Sequence, residues 1–232
     1  MTDRFAEYRE YEPKIKGWFS LDALRLFDAI DKIHQFMGVL GHIGEIGVHC
    51  GKSLIPLCML RRQHEKALGV DCWDEQTLNK SGSGKVKSPP IREAAARNVA
   101  TVLGSTKGVI LMSGDSQDAT ALTYLDAIHR DDKTLPGFRL WHVDGGHWKS
   151  NVVHDAMACA GTLVTGGVIL LDDTYNPDWP GVGEGMKVLI EKGWLVPIGP
   201  SVYGGKTALC RPVDRPRLKP LLDIAFSEEC PD

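Results

Sequence analysis

Short apolar segments alternate with longer amphipathic segments through the middle of the chain. The apolar segments have the length of buried strands, and they are Ile43–Val48, Ala67–Val70, Val109–Met112, Leu140–Val143 and Val168–Leu171. The segments between them have helical spacing, and they are Ser53–His64, Ile91–Leu103, Asp118–His129 and Ser150–Leu163. Strands that alternate with helices form βαβ units with right-handed crossovers. The pattern therefore predicts an α/β fold with a Rossmann-like, doubly wound and mostly parallel sheet.

The end of the chain adds a different strand pattern. Two further candidate strands, Trp194–Ile198 and Thr207–Cys210, flank a turn at Tyr203-Gly204-Gly205. A glycine turn between two strand patterns indicates a hairpin. We therefore expect a seven-stranded sheet whose last strand runs antiparallel.

The beginning of the chain predicts a helix. Ser20 has the character of an N-cap, and the apolar positions that follow it have helical spacing up to Ile33. Gly38 and Gly41 are expected to end this helix. We expect residues 1–40 to form an N-terminal helical extension, and residues 41–232 to form one compact domain.

Composition and charge limit the classes of function that the chain could have. The 232 residues are 43% hydrophobic and 25% charged, with a formal net charge of -3, which is typical of a globular protein and not of a nucleic-acid-binding one. No apolar run approaches the ~20 residues that span a bilayer, and the charged start of the chain is unlike a secretory signal. We expect a cytoplasmic protein without nucleic-acid or membrane partners, with homo-oligomer formation left open.

Cysteine spacing excludes the common metal and redox motifs. No C-x-x-C pair occurs among Cys50, Cys58, Cys72, Cys159, Cys210 and Cys230, so we expect buried free thiols. The polar stretch from Asp74 to Pro90 is longer than most connections between a strand and a helix. It is either a lid or binding loop, or a solvated insertion.

The first predicted strand leads into a glycine turn that runs from Glu45 to Ser53. A phosphate-binding P-loop would need a glycine at Ile46, and the dinucleotide fingerprint lacks its intermediate glycine. The remaining pattern is E-x-G-x-x-x-G, in which Gly47 lets the chain bend close to a ligand and Gly51 opens the helix. The carboxylate of Glu45 would repel a pyrophosphate, so the turn favours an amino acid–nucleoside ligand.

This turn resembles the first motif of class I S-adenosylmethionine-dependent methyltransferases. The resemblance implies that Gly47 and Gly51 approach S-adenosylmethionine, that Glu45 lies near its methionine end, and that Ser53 completes the cofactor-binding turn.

The next two strand ends offer further cofactor contacts. Asp71 follows the second strand, where a carboxylate can accept hydrogen bonds from ribose hydroxyls; Asp74 is the reserve, and a loop aspartate facing water is the alternative. In the family the third strand end borders the adenine, so Asp115 or Ser116 would bind its amine, although a plain turn uses the same residue types.

Carboxylates also follow the fourth and fifth strands. Asp144 follows the fourth strand, and Asp172 and Asp173 follow the fifth. These ends face one crevice in a parallel sheet, so the carboxylates would repel one another without a cation or a proton. An all-oxygen cluster favours Mg²⁺, Mn²⁺ or Ca²⁺ over zinc. Asp172 as a helix cap or turn residue is the alternative.

His147 lies three residues after Asp144, beyond two glycines, and can reach the same crevice. An imidazole with a pKa of about 6.5 is suited to remove a proton from a hydroxyl. We therefore expect His147 and Asp144 in catalytic roles. Alternatively, His147 bonds a loop carbonyl.

The stretch from Val143 to His147, together with Gly166 to Asp173, resembles a metal-dependent subgroup of class I methyltransferases. The subgroup includes the macrolide-sugar O-methyltransferases and relatives of cephalosporin hydroxylase. The resemblance implies metal ligation by Asp144, Asp172 and Asp173, with His147 as the base. It departs from the D-G-D-H form at Gly146, and it does not extend to the first forty residues.

Aromatic residues close to these carboxylates are candidates for the acceptor wall, or else ordinary apolar cover: Trp148, Tyr175 and Trp179. The sequence thus predicts an S-adenosylmethionine-dependent O-methyltransferase, assisted by a divalent metal, that acts on a hydroxyl of a small sugar, phenol or polyketide. The alternatives are a metal-dependent hydroxylase-like enzyme on the same scaffold and a non-catalytic binding protein.

Overall fold

The computed structural model describes residues 3–73, 91–130, 134–199 and 204–227. The predicted loop from Asp74 to Pro90, the turn residue Tyr203 and the last cysteine, Cys230, lie outside these ranges. The described residues form one sheet of seven strands: β1 His42–Ile46, β2 Ala67–Asp71, β3 Val109–Ser113, β4 Phe138–Val143, β5 Leu163–Leu171, β6 Val196–Pro197 and β7 Thr207–Cys210.

The sheet has the order β3-β2-β1-β4-β5-β7-β6. Strands β1 to β5 pair in parallel, whereas β7 is antiparallel to both β5 and β6. The predicted Rossmann-like, mostly parallel sheet with an antiparallel last strand is therefore confirmed. Because the chain order reverses next to β1, the carboxyl ends of β1 and β4 diverge into a crevice where ligands bind in such sheets.

Helices cover both faces of the sheet, as expected for strands that are buried on both sides. Their bounds are α1 Ala6–Tyr11, α2 Ala23–Phe36, α3 Leu54–Met59, α4 Ile91–Leu103, α5 Ala121–His129, α6 Lys149–Ala160, α7 Pro180–Glu191 and α8 Arg215–Ser227. Two predicted helices differ from the structure, one at its start and one at its end. Helix α2 begins at Ala23 because Ser20 lies in the preceding turn, where its backbone carbonyl accepts from the Ala23 amide. Helix α3 is shorter than Ser53–His64.

Helix α7 was not predicted from the sequence because its first half is rich in glycine. Pro180 occupies the first turn, where a missing amide costs nothing. A Cβ atom at Gly185 would lie 2.7 Å from Val152 Cγ1, and one at Gly181 would lie 2.4 Å from the carbonyl oxygen of His147. These glycines therefore allow α7 to pack closely against α6 and the segment that carries His147.

The N-terminal segment packs into the same core as the sheet. Phe5, Tyr8 and Ile15 are buried with the apolar face of α2 in one cluster. The Tyr8 hydroxyl donates to the carbonyl oxygen of Lys52, just after the glycine turn, over 2.7 Å. Residues 3–40 are thus integrated with the fold, and the domain boundary near residue 40 stays a prediction.

Buried charges anchor α2 to the end of the sheet opposite the crevice. Arg139 of β4 is fully buried and makes two hydrogen bonds to Glu65, of 2.8 and 2.9 Å. Its guanidinium also lies 3.0 Å from Asp31 of α2. Such a network is costly to break, since removing one partner leaves another charge buried. It therefore ties α2, β2 and β4 together.

The described cysteines are all free. Cys50, Cys58, Cys159 and Cys210 are buried and Cys72 is half-buried, which confirms the predicted thiols. None of the described helices is long and apolar enough to cross a membrane.

Gly47 follows β1 and lies against the backbone of Asp144, which follows β4. Its φ is +86°, and a Cβ atom there would lie only 1.8 Å from the carbonyl oxygen of Asp144. Gly47 also donates its amide to the Val70 carbonyl, over 2.9 Å. Only glycine allows this approach, so the turn has a structural requirement that is independent of any ligand.

We therefore expect Gly47→Ala to lower the free energy of unfolding by about 3 kcal/mol or more, from strain and overlap together. Gly104→Ala is the matched control, because Gly104 has a φ of +69° but no heavy atom within 4 Å of an added Cβ. It should cost about 1 kcal/mol. Urea unfolding of both variants tests this, and equal losses would show that the approach to Asp144 is unimportant.

Candidate functional site

The glycine turn after β1 is held by Asp71, which ends β2. The two carboxylate oxygens of Asp71 accept hydrogen bonds from the amides of His49 and Trp73, over 2.7 and 2.6 Å. Both amides belong to residues with positive φ, so the carboxylate stabilises a strained stretch on each side. Asp71 keeps further lone pairs for the ribose role predicted from the sequence.

Glu45 lies inside β1 and is fully buried. Its Oε1 atom is 2.7 Å from Nδ1 of His142, which is its register partner on β4. Its Oε2 atom is buried without a hydrogen-bond partner among the described residues. The structure thus places Glu45 beneath the turn, against a histidine that the sequence analysis did not select.

A line of alternating charges continues from His142. Its Nε2 atom lies 3.5 Å from Oδ2 of Asp172, and the ammonium of Lys206 lies 2.5 Å from the same oxygen. Burial and the charge of Lys206 lower the pKa of His142, but Asp172 and Glu45 outweigh them and raise it to about 9. The imidazole is therefore positively charged at neutral pH.

The two central carboxyl groups respond differently to this environment. Burial, followed by the charge of Asp172, raises the pKa of Asp144 well above its ordinary value. Burial would also raise the pKa of Asp172, but its hydrogen bond and charge interactions with His142 and Lys206 lower it. Asp172 is thus ionised, whereas Asp144 lacks a countercharge of its own.

Asp144 lies close to each of the other two predicted metal ligands, but Asp172 and Asp173 fall into separate groups, and metal ligation by the three stays a prediction. Two overlapping groups, His142 with Asp144 and Asp172, and Asp144 with His147 and Asp173, each place one ligand atom per residue within 4.8 Å of one another. The Asp144 carboxylate belongs to both groups and makes no hydrogen bond within the described part of the chain. This oxygen-rich donor set fits Mg²⁺ or Mn²⁺ better than zinc.

His147 is held by two neighbours. Its Nε2 atom lies 3.3 Å from Oδ2 of Asp173, and its ring stacks on Trp179 with centroids 4.2 Å apart. The hydrogen bond from His147 lowers the pKa of Asp173, and a second hydrogen bond from Asn176 acts in the same direction, whereas burial opposes both. The Nδ1 atom of His147 is buried and has no hydrogen-bond partner in the described ranges. The ring is therefore oriented at the crevice and retains a nitrogen that can carry a proton.

The turn after β3 brings in another residue that the sequence did not indicate. Asp115 accepts a hydrogen bond from the Gln117 amide over 3.0 Å, and half-buried Ser116 lies between them. The Gln117 side chain donates to Asp155 of α6 over 2.8 Å. Burial is the main reason that the pKa of Asp155 rises to about 6. Asp115 and Ser116 thus lie in an ordered turn, and their adenine role stays a prediction.

The remaining predicted residues differ in their burial and in their contacts with this centre. Ser53 is buried just before α3, and Gly51 has a φ of +84° in the turn. Of the three predicted wall residues, Trp179 contacts His147, whereas the side chains of Trp148 and Tyr175 are 57% and 59% exposed. Their acceptor role stays a prediction.

Comparison with known proteins gives the family. A methyltransferase-domain family model matches residues 45–174, which is more than half of the chain and includes the glycine turn, Asp144 and the Asp172-Asp173 pair. The chain belongs to the methyltransferase domain family. The predicted enzyme class, an S-adenosylmethionine-dependent methyltransferase, is thereby confirmed. No curated protein sequence matches the chain.

Solved structures support the same fold for this methyltransferase. The O-methyltransferase NovP has a TM-score of 0.64 at 13% identity, with 82% of this chain and 80% of that chain covered. TomG from Streptomyces achromogenes, solved in complex with SAM, has a TM-score of 0.57 at 18% identity, with 90% and 87% covered. CalS11, a TDP-rhamnose 3'-O-methyltransferase, has a TM-score of 0.55 at 21% identity, with 81% and 78% covered.

Two residues of the methyltransferase site were missed for different reasons. His142 precedes Asp144 by two positions, so strand alternation places both side chains on one face, and the pairing with Glu45 follows from the β1–β4 register. Lys206 gave no comparable signal, because a lysine before a strand is usually solvated.

The charged state of His142 gives the methyltransferase a pH-dependent stability. A folded-state pKa of about 9, against about 6.5 unfolded, contributes stability that is complete below about pH 6.5 and is lost as the pH rises through about 9. We expect the wild type to lose at least about 1 kcal/mol more between these pH values than His142→Gln does. Urea unfolding at both pH values tests this, and parallel losses would contradict a charged, buried His142.

Proposed function

We propose that the protein is a divalent-metal-assisted O-methyltransferase that transfers the methyl group of S-adenosylmethionine to a hydroxyl of a small molecule. The observation that carries this proposal is the meeting of Asp144, Asp173 and His147 at the carboxyl ends of β4 and β5. That position is next to the glycine turn, since Gly47 abuts the backbone of Asp144. A methyl donor at the turn and an acceptor at the carboxylates would therefore be neighbours.

The metal part of the proposal rests on the charges of the site. Asp144, Asp172 and Asp173 would hold the ion, and the pKa of Asp144 is raised by burial first and then by the charge of Asp172. A bound cation would favour the ionised form of this carboxyl. A bound divalent ion would lower the pKa of an acceptor hydroxyl and stabilise the oxyanion. The carboxylates themselves would orient that hydroxyl next to His147.

His147 would accept the hydroxyl proton. Its ring is oriented by Asp173 and Trp179, which limits the loss of side-chain freedom when an acceptor binds. As the proton moves to the imidazole, the oxygen forms its bond to the methyl carbon, the sulfur–methyl bond breaks, and S-adenosylhomocysteine remains. Carbon and nitrogen acceptors seldom need a metal to acidify them, so a hydroxyl is the acceptor that this site favours.

Structural neighbours indicate which acceptors to test first. TomG was solved with SAM, and CalS11 acts on a TDP-rhamnose. We therefore propose sugar hydroxyls first, followed by phenol and polyketide hydroxyls. A cytoplasmic location and the absence of a nucleic-acid partner are part of the same proposal.

Removing the shared carboxylate is the direct test of the metal. Asp144→Asn should weaken Mn²⁺ binding, measured by calorimetry on chelator-treated protein, by at least about tenfold because it removes a ligand charge. S-adenosylhomocysteine binding should be nearly unchanged. The matched control is Asp223→Asn, because Asp223 pairs with a lysine on exposed α8.

The outcomes separate the proposal from its rivals. If the wild type binds S-adenosylhomocysteine but no metal, metal assistance is contradicted and the methyltransferase activity is not. No binding of S-adenosylhomocysteine at all would contradict the donor site. Turnover that requires iron, oxygen and a reductant would instead support the hydroxylase-like alternative.

The role of His147 is tested by turnover. Once an acceptor is found, His147→Ala should lower kcat by about 10²-fold or more, as expected for loss of a general base, with little change in S-adenosylhomocysteine affinity. His64→Asn is a suitable control, because His64 is exposed and its positive φ is tolerated by asparagine. An unchanged kcat in His147→Ala would remove the base from the mechanism.

A further inference from the structure

Lys206 is an unusual residue to find beside candidate metal ligands. It is only 2% exposed, whereas lysines are almost always solvated unless they are paired. Its ammonium lies 2.5 Å from Oδ2 of Asp172 and 5.4 Å from the ring centroid of Phe19. The side chain is thus enclosed between a carboxylate and an aromatic face.

The backbone around Lys206 is built to hold it there. Gly204 and Gly205 both have positive φ, and a Cβ atom at Gly204 would lie 2.4 Å from the Ala23 amide nitrogen at the start of α2. Strand β7 then begins at Thr207, whose partner across the antiparallel ladder is Leu171. This register places Lys206 directly beside Asp172, so the contact follows from the ladder and does not depend on a flexible surface side chain.

The contact leaves Asp172 with both oxygens engaged. Oδ1 accepts a hydrogen bond from the Asp173 amide over 2.9 Å, and Oδ2 is bound to Lys206. The carboxylate of Asp144, by contrast, accepts no hydrogen bond from the described residues, and the hydrogen bond of Asp144 is the one from its backbone amide to the Ile46 carbonyl. The two carboxylates are therefore not equivalent toward a cation, since Asp144 is free to rotate toward an ion and Asp172 is held in one orientation.

We propose that Lys206 sets the cation affinity of this centre, because its ammonium occupies Oδ2 of Asp172 and supplies a positive charge beside the ion. The inference rests on the proposed function in one respect: there, the role of Lys206 is to keep the divalent ion bound weakly enough to exchange with ions in solution. Its physical content, repulsion between an ammonium and a divalent ion that share one carboxylate, is independent of the reaction.

The charges of the centre agree with this role. The three candidate ligands Asp144, Asp172 and Asp173 carry negative charge when ionised, whereas Lys206 is positive. Two negative charges remain, which one divalent ion neutralises. Without Lys206 a third would remain, and the centre would attract cations more strongly.

The test compares Lys206→Met with Lys206→Arg and with Lys219→Met. Methionine keeps the apolar contact with Phe19 and removes the charge, and arginine keeps the charge. Lys219 is the matched control, because it also lies 2.5 Å from an aspartate, Asp223, but on the exposed surface of α8. Asp172 should stay oriented in Lys206→Met, since the Asp173 amide still bonds its Oδ1 atom.

Mn²⁺ binding is measured by calorimetry on each chelator-treated protein, and the melting temperature is measured with and without Mn²⁺. We expect Lys206→Met to bind Mn²⁺ at least about tenfold more tightly than the wild type. Mn²⁺ should also raise its melting temperature by more than it raises that of the wild type. Lys206→Arg and Lys219→Met should resemble the wild type in both measurements.

A purely structural lysine would give another result. Lys206→Met would then have a lower melting temperature, but its Mn²⁺ affinity would be equal to or weaker than that of the wild type, and this would overturn the inference. If the wild type binds no Mn²⁺ while Lys206→Met does, the inference holds and metal assistance in the proposed function fails. If neither protein binds Mn²⁺, both fail.

Discussion

Parallel strands bring carboxylates together at one edge of the sheet, where they repel one another. The contacts of His142 and Lys206 with these carboxylates offset that repulsion. Asp144, Asp172 and Asp173 follow β4 and β5, and Glu45 lies one strand away within β1. Like charges at this separation, away from bulk water, are strongly unfavourable unless positive charge lies between them. The site is therefore best understood through its sources of positive charge.

Those sources come from parts of the chain that are distant in sequence. His142 lies between Glu45 and Asp172, and Lys206 arrives from the hairpin that closes the sheet. Both are covered by the N-terminal region, since Phe27 contacts the His142 ring and Phe19 contacts the Lys206 ammonium. The N-terminal segment thus shields the charged centre from water, which strengthens the attraction between its paired charges.

Asp144 is the exception within this arrangement. It shares the crevice with Asp172, and burial together with the charge of Asp172 raises its pKa. No hydrogen bond from another described residue stabilises its carboxylate. A group that the fold leaves without a partner, next to others that are fully engaged, marks the position where a ligand would complete the site. Gly47 has a related role, since its missing side chain lets the glycine turn lie against the backbone of Asp144.

Much of this protein was accessible from the sequence. The strand and helix periodicity predicted the mostly parallel sheet, and the Gly204-Gly205 turn before Thr207 predicted the antiparallel end. The strand ends identified Asp144, Asp172, Asp173 and His147, because the position of a residue after a strand determines which edge of a parallel sheet it occupies. The helix α7 was not found, because its glycines have low helix propensity and are explained only by close packing against α6.

Tertiary structure alone decided how the charges are paired. The sequence placed Glu45 at the cofactor turn, but strand register puts it against His142. The sequence also offered no reason to bury Lys206, whose position depends on the β5–β7 ladder and on the contact of Gly204 with Ala23. Local sequence determines which edge of the sheet a residue reaches, since this depends on its own strand. Which partner it meets there depends on distant elements and their packing, as when Glu45 meets His142, 97 residues away, and Asp172 meets Lys206, 34 residues away.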